Sequence, residues 1–171
     1  ADINETLECW EIALKSKNTP SVIALSRQKV PYINPNNSKK NKCENGAYEV
    51  SISSHESNVT LVASGTEVEL ALKVQNKLKE NNIHSKVVSM PCMELFDIQP
   101  EKFKSDLIEE DALVVTLEAG SISSWQKYIK NKGLNLGIDQ FGESAPYKEV
   151  YNHFNLTEEK IINFIQKKLR E

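Results

Sequence analysis

The stretch Val59-Thr-Leu-Val-Ala-Ser-Gly-Thr-Glu-Val-Glu-Leu-Ala-Leu-Lys-Val-Gln-Asn-Lys-Leu78 decides the fold. Its first five residues are rich in β-branched side chains and read as a short strand. Ser64-Gly65-Thr66 then makes a tight turn, and Thr66 with Glu69 three residues on has the form of a capping box. Leu70, Ala71, Val74 and Leu78 fall on one face of the helix that follows, and Asn81-Asn82 stops it. A strand feeding directly into a helix is half of a parallel crossover unit.

The same alternation continues on both sides. Tyr48 to Ile52 reads as a strand before this unit, and His84 to Ser89 as one after it, closed by Met90-Pro91. Pro100 can open a helix carrying Phe103, Leu107 and Ile108. Ala112 to Leu117 is a continuous apolar run, the pattern of a central strand covered on both faces. Ala119-Gly120-Ser121 leads to a predicted helix with Trp125, Tyr128 and Ile129, and Leu134 to Ile138 is the last predicted strand. A short helix is expected after Gly142-Glu-Ser-Ala-Pro146, then a terminal amphipathic helix with Thr157, Lys160, Ile161, Phe164, Ile165 and Leu169. Strands alternating with helices across short turns specify a mostly parallel sheet between two helix layers. Residues 46–171 are therefore expected to form one three-layer α/β/α domain.

The first 28 residues read differently. Asp2 and Glu5 make a capping-box start, and Leu7, Trp10, Ala13 and Leu14 share a stripe on a helix from residue 3 to about 16. Asn18-Thr19-Pro20 breaks it, and Ser21-Val-Ile-Ala-Leu25 is predicted to be a buried strand running out into Ser26-Arg27-Gln28. One helix and one strand cannot bury each other's apolar faces, and the chain opens without a methionine. This orphan helix-strand unit is expected to be the end of a domain whose body lies elsewhere, which would make the molecule a fragment of a larger protein. Unless it docks, the helix leaves Leu7 and Trp10 exposed, with self-association as the hazard. Residues 29–45, rich in Pro, Asn, Ser and Lys, read as a linker, with Lys39-Lys-Asn-Lys42 as solvated charge.

Composition excludes several classes of function. A net charge of −3 and a pI near 5.7 supply no basic field for nucleic acid or an anionic membrane. No apolar run approaches the length of a membrane span, and the start of the chain lacks the pattern of a signal peptide, so a soluble, cytoplasmic protein is expected. Cys9, Cys43 and Cys92 are odd in number, far apart and without a CxxC pair, which suits reduced thiols. His55, His84 and His153 are equally scattered, and none forms a pair with zinc-ligand spacing.

Arg27 is one of two arginines beside nineteen lysines. A guanidinium offers a planar fork that grips a phosphate or carboxylate at two points, whereas an ammonium is a hydrated point charge. Arg27 therefore reads either as a binder of an anionic substrate or as half of a structural ion pair. Arg170 suits the cationic end of a terminal helix. Ser64-Gly65-Thr66 has the form of an anion-holding turn but lacks GxGxxG and GxxxxGK[ST], so a plain helix start explains it. Glu118 stands at the carboxyl end of a predicted strand, the edge where open α/β sheets place ligands, but as a lone carboxylate it equally suits a cap or an interface. Cys92, after Pro91, has no neighbouring histidine in sequence to activate it.

As a set, Thr19-Pro-Ser-Val-Ile-Ala-Leu-Ser-Arg-Gln28, Ala63-Ser-Gly-Thr-Glu-Val-Glu-Leu-Ala71, Val87-Val-Ser-Met-Pro91 and Phe141-Gly-Glu-Ser-Ala-Pro146 resemble the C-terminal part of transketolase, in that family's order and spacing. The resemblance implies that residues 1–28 end a pyrimidine-binding domain, that 29–45 form a linker and that 46–171 make the third domain. It also implies a homodimeric parent enzyme using thiamine diphosphate and Mg²⁺ (or Ca²⁺), which moves a two-carbon ketol unit from a ketose phosphate to an aldose phosphate in the non-oxidative pentose phosphate pathway. Arg27 matches the arginine that binds the sugar phosphate in that family. No catalytic, cofactor-binding or metal-binding residue of the family falls within this chain, so the chain alone is expected to be inactive and to bind no cofactor. Asn45-Gly46 stands where relatives commonly have paired glycines. Deoxyxylulose-phosphate synthase and the 2-oxoacid dehydrogenase β subunit share a similar third domain, and a dimerisation or regulatory module is the alternative of another class.

Overall fold

The computed structural model describes residues 1–33, 40–52, 57–109, 111–129 and 133–171. His55, Lys39 and residues 34–39 of the expected linker lie outside them. Five strands form one sheet in the order β1-β3-β2-β4-β5, where β1 is Tyr48–Ile52, β2 Val59–Ala63, β3 Ser85–Ser89, β4 Leu113–Leu117 and β5 Leu134–Leu136. β2, β3, β4 and β5 run parallel, and β1 joins β3 antiparallel at one edge, with an irregularity between Glu49 and Ser51. Register is in step across the parallel strands. Val59 pairs with Ser85 and Leu113, Ala63 with Ser89 and Leu117, and Leu117 with Leu136. The carboxyl ends of β2 to β5 therefore make one common edge, and that edge positions the residues of interest.

The predicted three-layer domain is the observed one. One face of the sheet packs Leu61, Val87, Val115 and Leu117 against Val68, Ala71, Val74 and Leu78 of α2 (Glu67–Glu80) and Ile161, Ile162 and Ile165 of a C-terminal helix, Glu158–Lys168. The other face packs Val62, Val88 and Val114 against Met90, which directly follows β3, and against Phe96, Leu107 and Trp125, supplied by α3 (Met93–Asp97), α4 (Glu101–Leu107) and a 3₁₀ turn at Ser123–Tyr128. α5 is Tyr147–His153 and α6 the C-terminal helix. β2, β3 and β4 are buried along their whole length, as strands with helices on both faces must be.

Four expectations are corrected. The residues around Trp125 form a 3₁₀ turn and not an α-helix, with Trp125 itself buried in the core. Thr66 does not cap α2: its backbone is already helical, and the first amides of the helix are taken by the carbonyls of Ser64 and Gly65 at 3.2 and 3.3 Å. Glu69 pairs instead with Lys73. The last predicted strand is shorter, ending at Leu136.

The largest correction concerns the N-terminal unit. Ser21 to Leu25 is neither a strand nor buried: Val22 is 96% exposed, and the segment has no place in the sheet. A β-rich segment without a neighbouring ladder has nowhere to place its backbone hydrogen bonds except water. The helix α1 (Ile3–Lys15) forms as predicted, with the side chain of Asp2 accepting from the Glu5 amide at 2.9 Å. It is not an orphan, because it docks on the domain through its polar face. Its apolar stripe stays outside, with Leu7, Trp10 and Leu14 all exposed.

Candidate functional site

The carboxyl edge of the sheet collects the chain's chemistry-bearing residues in two clusters. The first follows β2 and β4. Gly65 takes the left-handed conformation, with φ of +55°, which lets the strand turn sharply into α2. Glu67, in the first turn of α2, is buried. Its carboxylate accepts from the Tyr151 hydroxyl of α5 and from the Thr66 hydroxyl at 2.8 Å.

Glu118, directly after β4, accepts from the Trp125 indole N–H at 3.0 Å and from the Ser64 hydroxyl. Burial pushes its carboxyl above the ordinary glutamate range, the Trp125 bond works against that shift, and the negative charge of Glu67 adds to it. Two carboxylates are thus fixed side by side, each held by donors from another element. Both act as buttresses that tie α5 and the 3₁₀ turn to the sheet edge. Among the described residues there is no nucleophile-base pair here.

The second cluster lies after β3 and is built around α1. Glu5 is buried, and its carboxylate accepts from the Tyr48 hydroxyl at 3.0 Å, from the Ser89 hydroxyl at the end of β3 and from the Ala1 amino group. Asp2 thus caps the helix while Glu5 docks on the domain. One turn on, Glu8 accepts from the backbone amides of Lys42 and Cys43 at 2.7 and 3.2 Å. Asn41 donates to the Glu8 carbonyl and to Glu11. Burial, together with the Glu5 charge, pushes the Tyr48 phenol above its usual range. Tyr48 is therefore held neutral as a donor.

Gly46 fixes how this cluster meets the domain. It has φ of +81°, and a Cβ there would stand 2.2 Å from the Phe96 nitrogen and 2.4 Å from the Cys92 carbonyl. The Cys92 amide in turn donates to the Gly46 carbonyl at 3.1 Å. Only a glycine permits that approach of two backbones.

Arg27 belongs to neither cluster, but the segment that carries it comes to the same edge. A Cβ placed on Gly65 would be 3.6 Å from Ser26 Oγ, so the Ser26-Arg27 segment passes beside the β2–α2 turn. Arg27 is exposed and forms no ion pair with another described residue. Of the sequence candidates, the structure thus brings Ser26-Arg27, Ser64-Gly65-Thr66 and Glu118 to one edge. Cys92 is half-buried at the start of α3, with its thiol pushed up by burial. Glu5, Glu67, Tyr151 and the contact between Cys9 and Cys43 went unread in the sequence. Only the i, i+3 spacing of Asp2 and Glu5 hinted at any of them.

The family described as "Transketolase-like TK C-terminal domain" matches residues 46–157. The transketolase of Sinorhizobium medicae is 39% identical over 163 residues, which cover 95% of this chain and 23% of that protein. A solved structure of transketolase from Leishmania mexicana superposes with a TM-score of 0.87 at 33% identity, covering 99% of this chain and 24% of its own. A transketolase of Pichia stipitis in complex with sedoheptulose 7-phosphate gives 0.89 at 29% identity, with the same shares covered. The chain spans about a quarter of the length of the relatives it matches.

Proposed function

The chain belongs to the transketolase family, and from that premise we propose that it is the C-terminal portion of a working transketolase, with residues 1–28 ending the pyrimidine-binding domain, 29–45 the linker and 46–171 the third domain. The parent enzyme transfers a two-carbon ketol unit from a ketose phosphate such as xylulose 5-phosphate to an aldose phosphate such as ribose 5-phosphate or erythrose 4-phosphate. It does so as a cytoplasmic homodimer in the non-oxidative pentose phosphate pathway.

Thiamine diphosphate supplies the carbanion chemistry of the parent enzyme. Glu67 and Glu118 are engaged by Tyr151, Thr66, Trp125 and Ser64, and among the described residues no three His, Cys, Asp or Glu converge. The cofactor's site is proposed to lie in the rest of the parent protein, and the isolated chain to turn nothing over.

The observation that carries the reading for this chain's own chemistry is Arg27. Arg27 is exposed, directly follows Ser26, whose hydroxyl lies beside the Gly65 turn, and is paired with no described carboxylate. In the proposed role it grips the substrate phosphate at two points. That contributes binding energy remote from the reacting carbon and sets the sugar's position.

A coupled assay of the full-length parent with xylulose 5-phosphate and ribose 5-phosphate tests this, comparing wild type with Arg27→Ala. KM is expected to rise about 10- to 100-fold for loss of a charge-assisted contact, with a smaller change in kcat. An active enzyme indifferent to the substitution would remove the phosphate role and leave the family. A parent that uses pyruvate in place of an aldose phosphate would move the assignment to deoxyxylulose-phosphate synthase. Calorimetry showing saturable thiamine diphosphate binding to the isolated chain would overturn the proposed absence of a cofactor site. A dimerisation or regulatory role is the second reading, favoured by the outward stripe of Leu7, Trp10 and Leu14.

A further inference from the structure

Cys9 and Cys43 are 34 positions apart in sequence and adjacent in space. Cys43 is buried at the head of the 3₁₀ turn Cys43–Asn45, and three contacts fix it against one face of α1. Its amide donates to Glu8 Oε2 at 3.2 Å and its Sγ stands 3.9 Å from the Glu5 carbonyl. Its thiol lies within hydrogen-bonding reach of Cys9, which is one helical turn beyond Glu5 and therefore on the same face. The two thiols differ in kind. Cys9 is half-exposed, and a hydrogen bond from Cys43 lowers its pKa below the ordinary thiol value. Cys43 is buried, and that same hydrogen bond, together with burial, keeps it protonated. An accessible thiol beside a sheltered one is the arrangement of an attacking and a resolving cysteine.

We propose that Cys9 and Cys43 form a reversible disulfide that staples α1 to the entry of the 46–171 domain. The oxidant is a low-molecular-weight disulfide, RSSR. The Cys9 thiolate attacks one sulfur of RSSR, forming a Cys9–S–SR mixed disulfide and expelling RS⁻. Cys43, on losing its proton, attacks the Cys9 sulfur, the second RS⁻ leaves, and the protons of both cysteines end on the two released thiols. One dialkyl disulfide is reduced to two thiols for each cross-link made. The closed loop of residues 9–43 contains Arg27, so oxidation fixes both ends of the segment that carries it. The inference rests on the placement of Cys43 against the Glu5–Cys9 turn of α1 and stands apart from the enzymatic reading above.

The test is equilibration of the folded 171-residue chain in glutathione buffers of graded ratio, followed by acid quench, alkylation and peptide mapping. The expected product is a cross-link between the tryptic peptides of residues 1–15 and 43–73, reversed by dithiothreitol, present in Cys92→Ser and absent from Cys9→Ser. Cross-linked chain is also expected to exchange its α1 amide hydrogens roughly 10-fold or more slowly, because closing the loop restrains the open state. Since Cys43 is buried and its replacement risks the local fold, Cys9→Ser is the diagnostic variant. Its far-UV spectrum and denaturation midpoint should match the reduced wild type. The proposal is overturned if Cys9 stops at the glutathione mixed disulfide while Cys43 remains free to alkylate after unfolding. A cross-link through Cys92 in place of Cys43 would overturn it equally.

Discussion

The 46–171 region and the first 33 residues obey opposite packing rules. In the former, the apolar side chains of β2, β3 and β4 are buried, and Leu61, Val87 and Val115 are sealed between sheet and helices. In the latter, polar side chains face the domain. Asp2 and Glu5 are buried, while Leu14 is 78% exposed and Val22 almost wholly so. The comparison teaches that amphipathic periodicity specifies a helix without specifying which face meets the neighbour. The apolar stripe of α1 is real, but Tyr48, Ser89 and the amides of Lys42 and Cys43 present donors, and donors dock on carboxylates. A face that satisfies buried hydrogen bonds outcompetes one that would leave them unmade, because an unpaired buried polar group costs about 1–3 kcal/mol.

The sharpest way to break this contrast is to delete the same methyl groups from both regions. Leu61→Ala removes a wholly buried side chain from the central strand and is expected to cost about 2–5 kcal/mol, the transfer loss plus the cavity left behind. Leu14→Ala, on the outward stripe, should stay within about 0.5 kcal/mol. Urea midpoints at fixed slope measure both. Similar losses for the two would mean that the α1 stripe is covered in solution, by self-association above all, and light scattering across a concentration series would then show it.

A smaller effect is expected at the docking contact itself. Glu5→Ala strips the acceptor from Tyr48, Ser89 and the Ala1 amino group and leaves three donors at a buried seam, a cost of about 1–3 kcal/mol. That loss falls on the docking of α1 and not on the sheet. Hydrogen exchange should therefore quicken in residues 3–15 while β2 and β4 keep their protection. Equal quickening throughout would show that α1 is part of the domain's cooperative unit.

The same contrast explains what could be read in the sequence. β1, β2 and α2 were legible because β-branched runs and a 3.6-residue stripe are local signals, and the short turns between them left few topologies. The continuous apolar run of β4 announced burial on both faces. Ser21 to Leu25 carried an equally good strand signal and failed, since a strand needs a partner and propensity does not supply one. Trp125 was read as helical from its neighbours, whereas its indole N–H reaches Glu118 from a tighter 3₁₀ turn. Arg27 and Glu118 could be picked out because each is an unusual charge at the end of an apolar run. Glu5, Glu67 and the Cys9–Cys43 contact could not, because their partners lie 34 to 84 residues away.

The smallest expected effect separates two residues that look alike in sequence. Asp2 and Thr66 each precede a helix and each has a glutamate three residues on. Asp2 sits in an extended conformation and its carboxylate takes the Glu5 amide, so Asp2→Ala removes a true cap and should cost about 1 kcal/mol. Thr66 is already helical, its hydroxyl donates to Glu67, and backbone carbonyls satisfy the first amides of α2. Thr66→Ala should therefore cost less than about 0.5 kcal/mol, although it lies in the well-packed region and Asp2 in the sparse one. Circular dichroism melts of the two variants against wild type decide it. If Thr66→Ala proves the more damaging, the hydroxyl must matter through Glu67 and Tyr151, and the carboxyl-edge cluster would be a stability element in its own right.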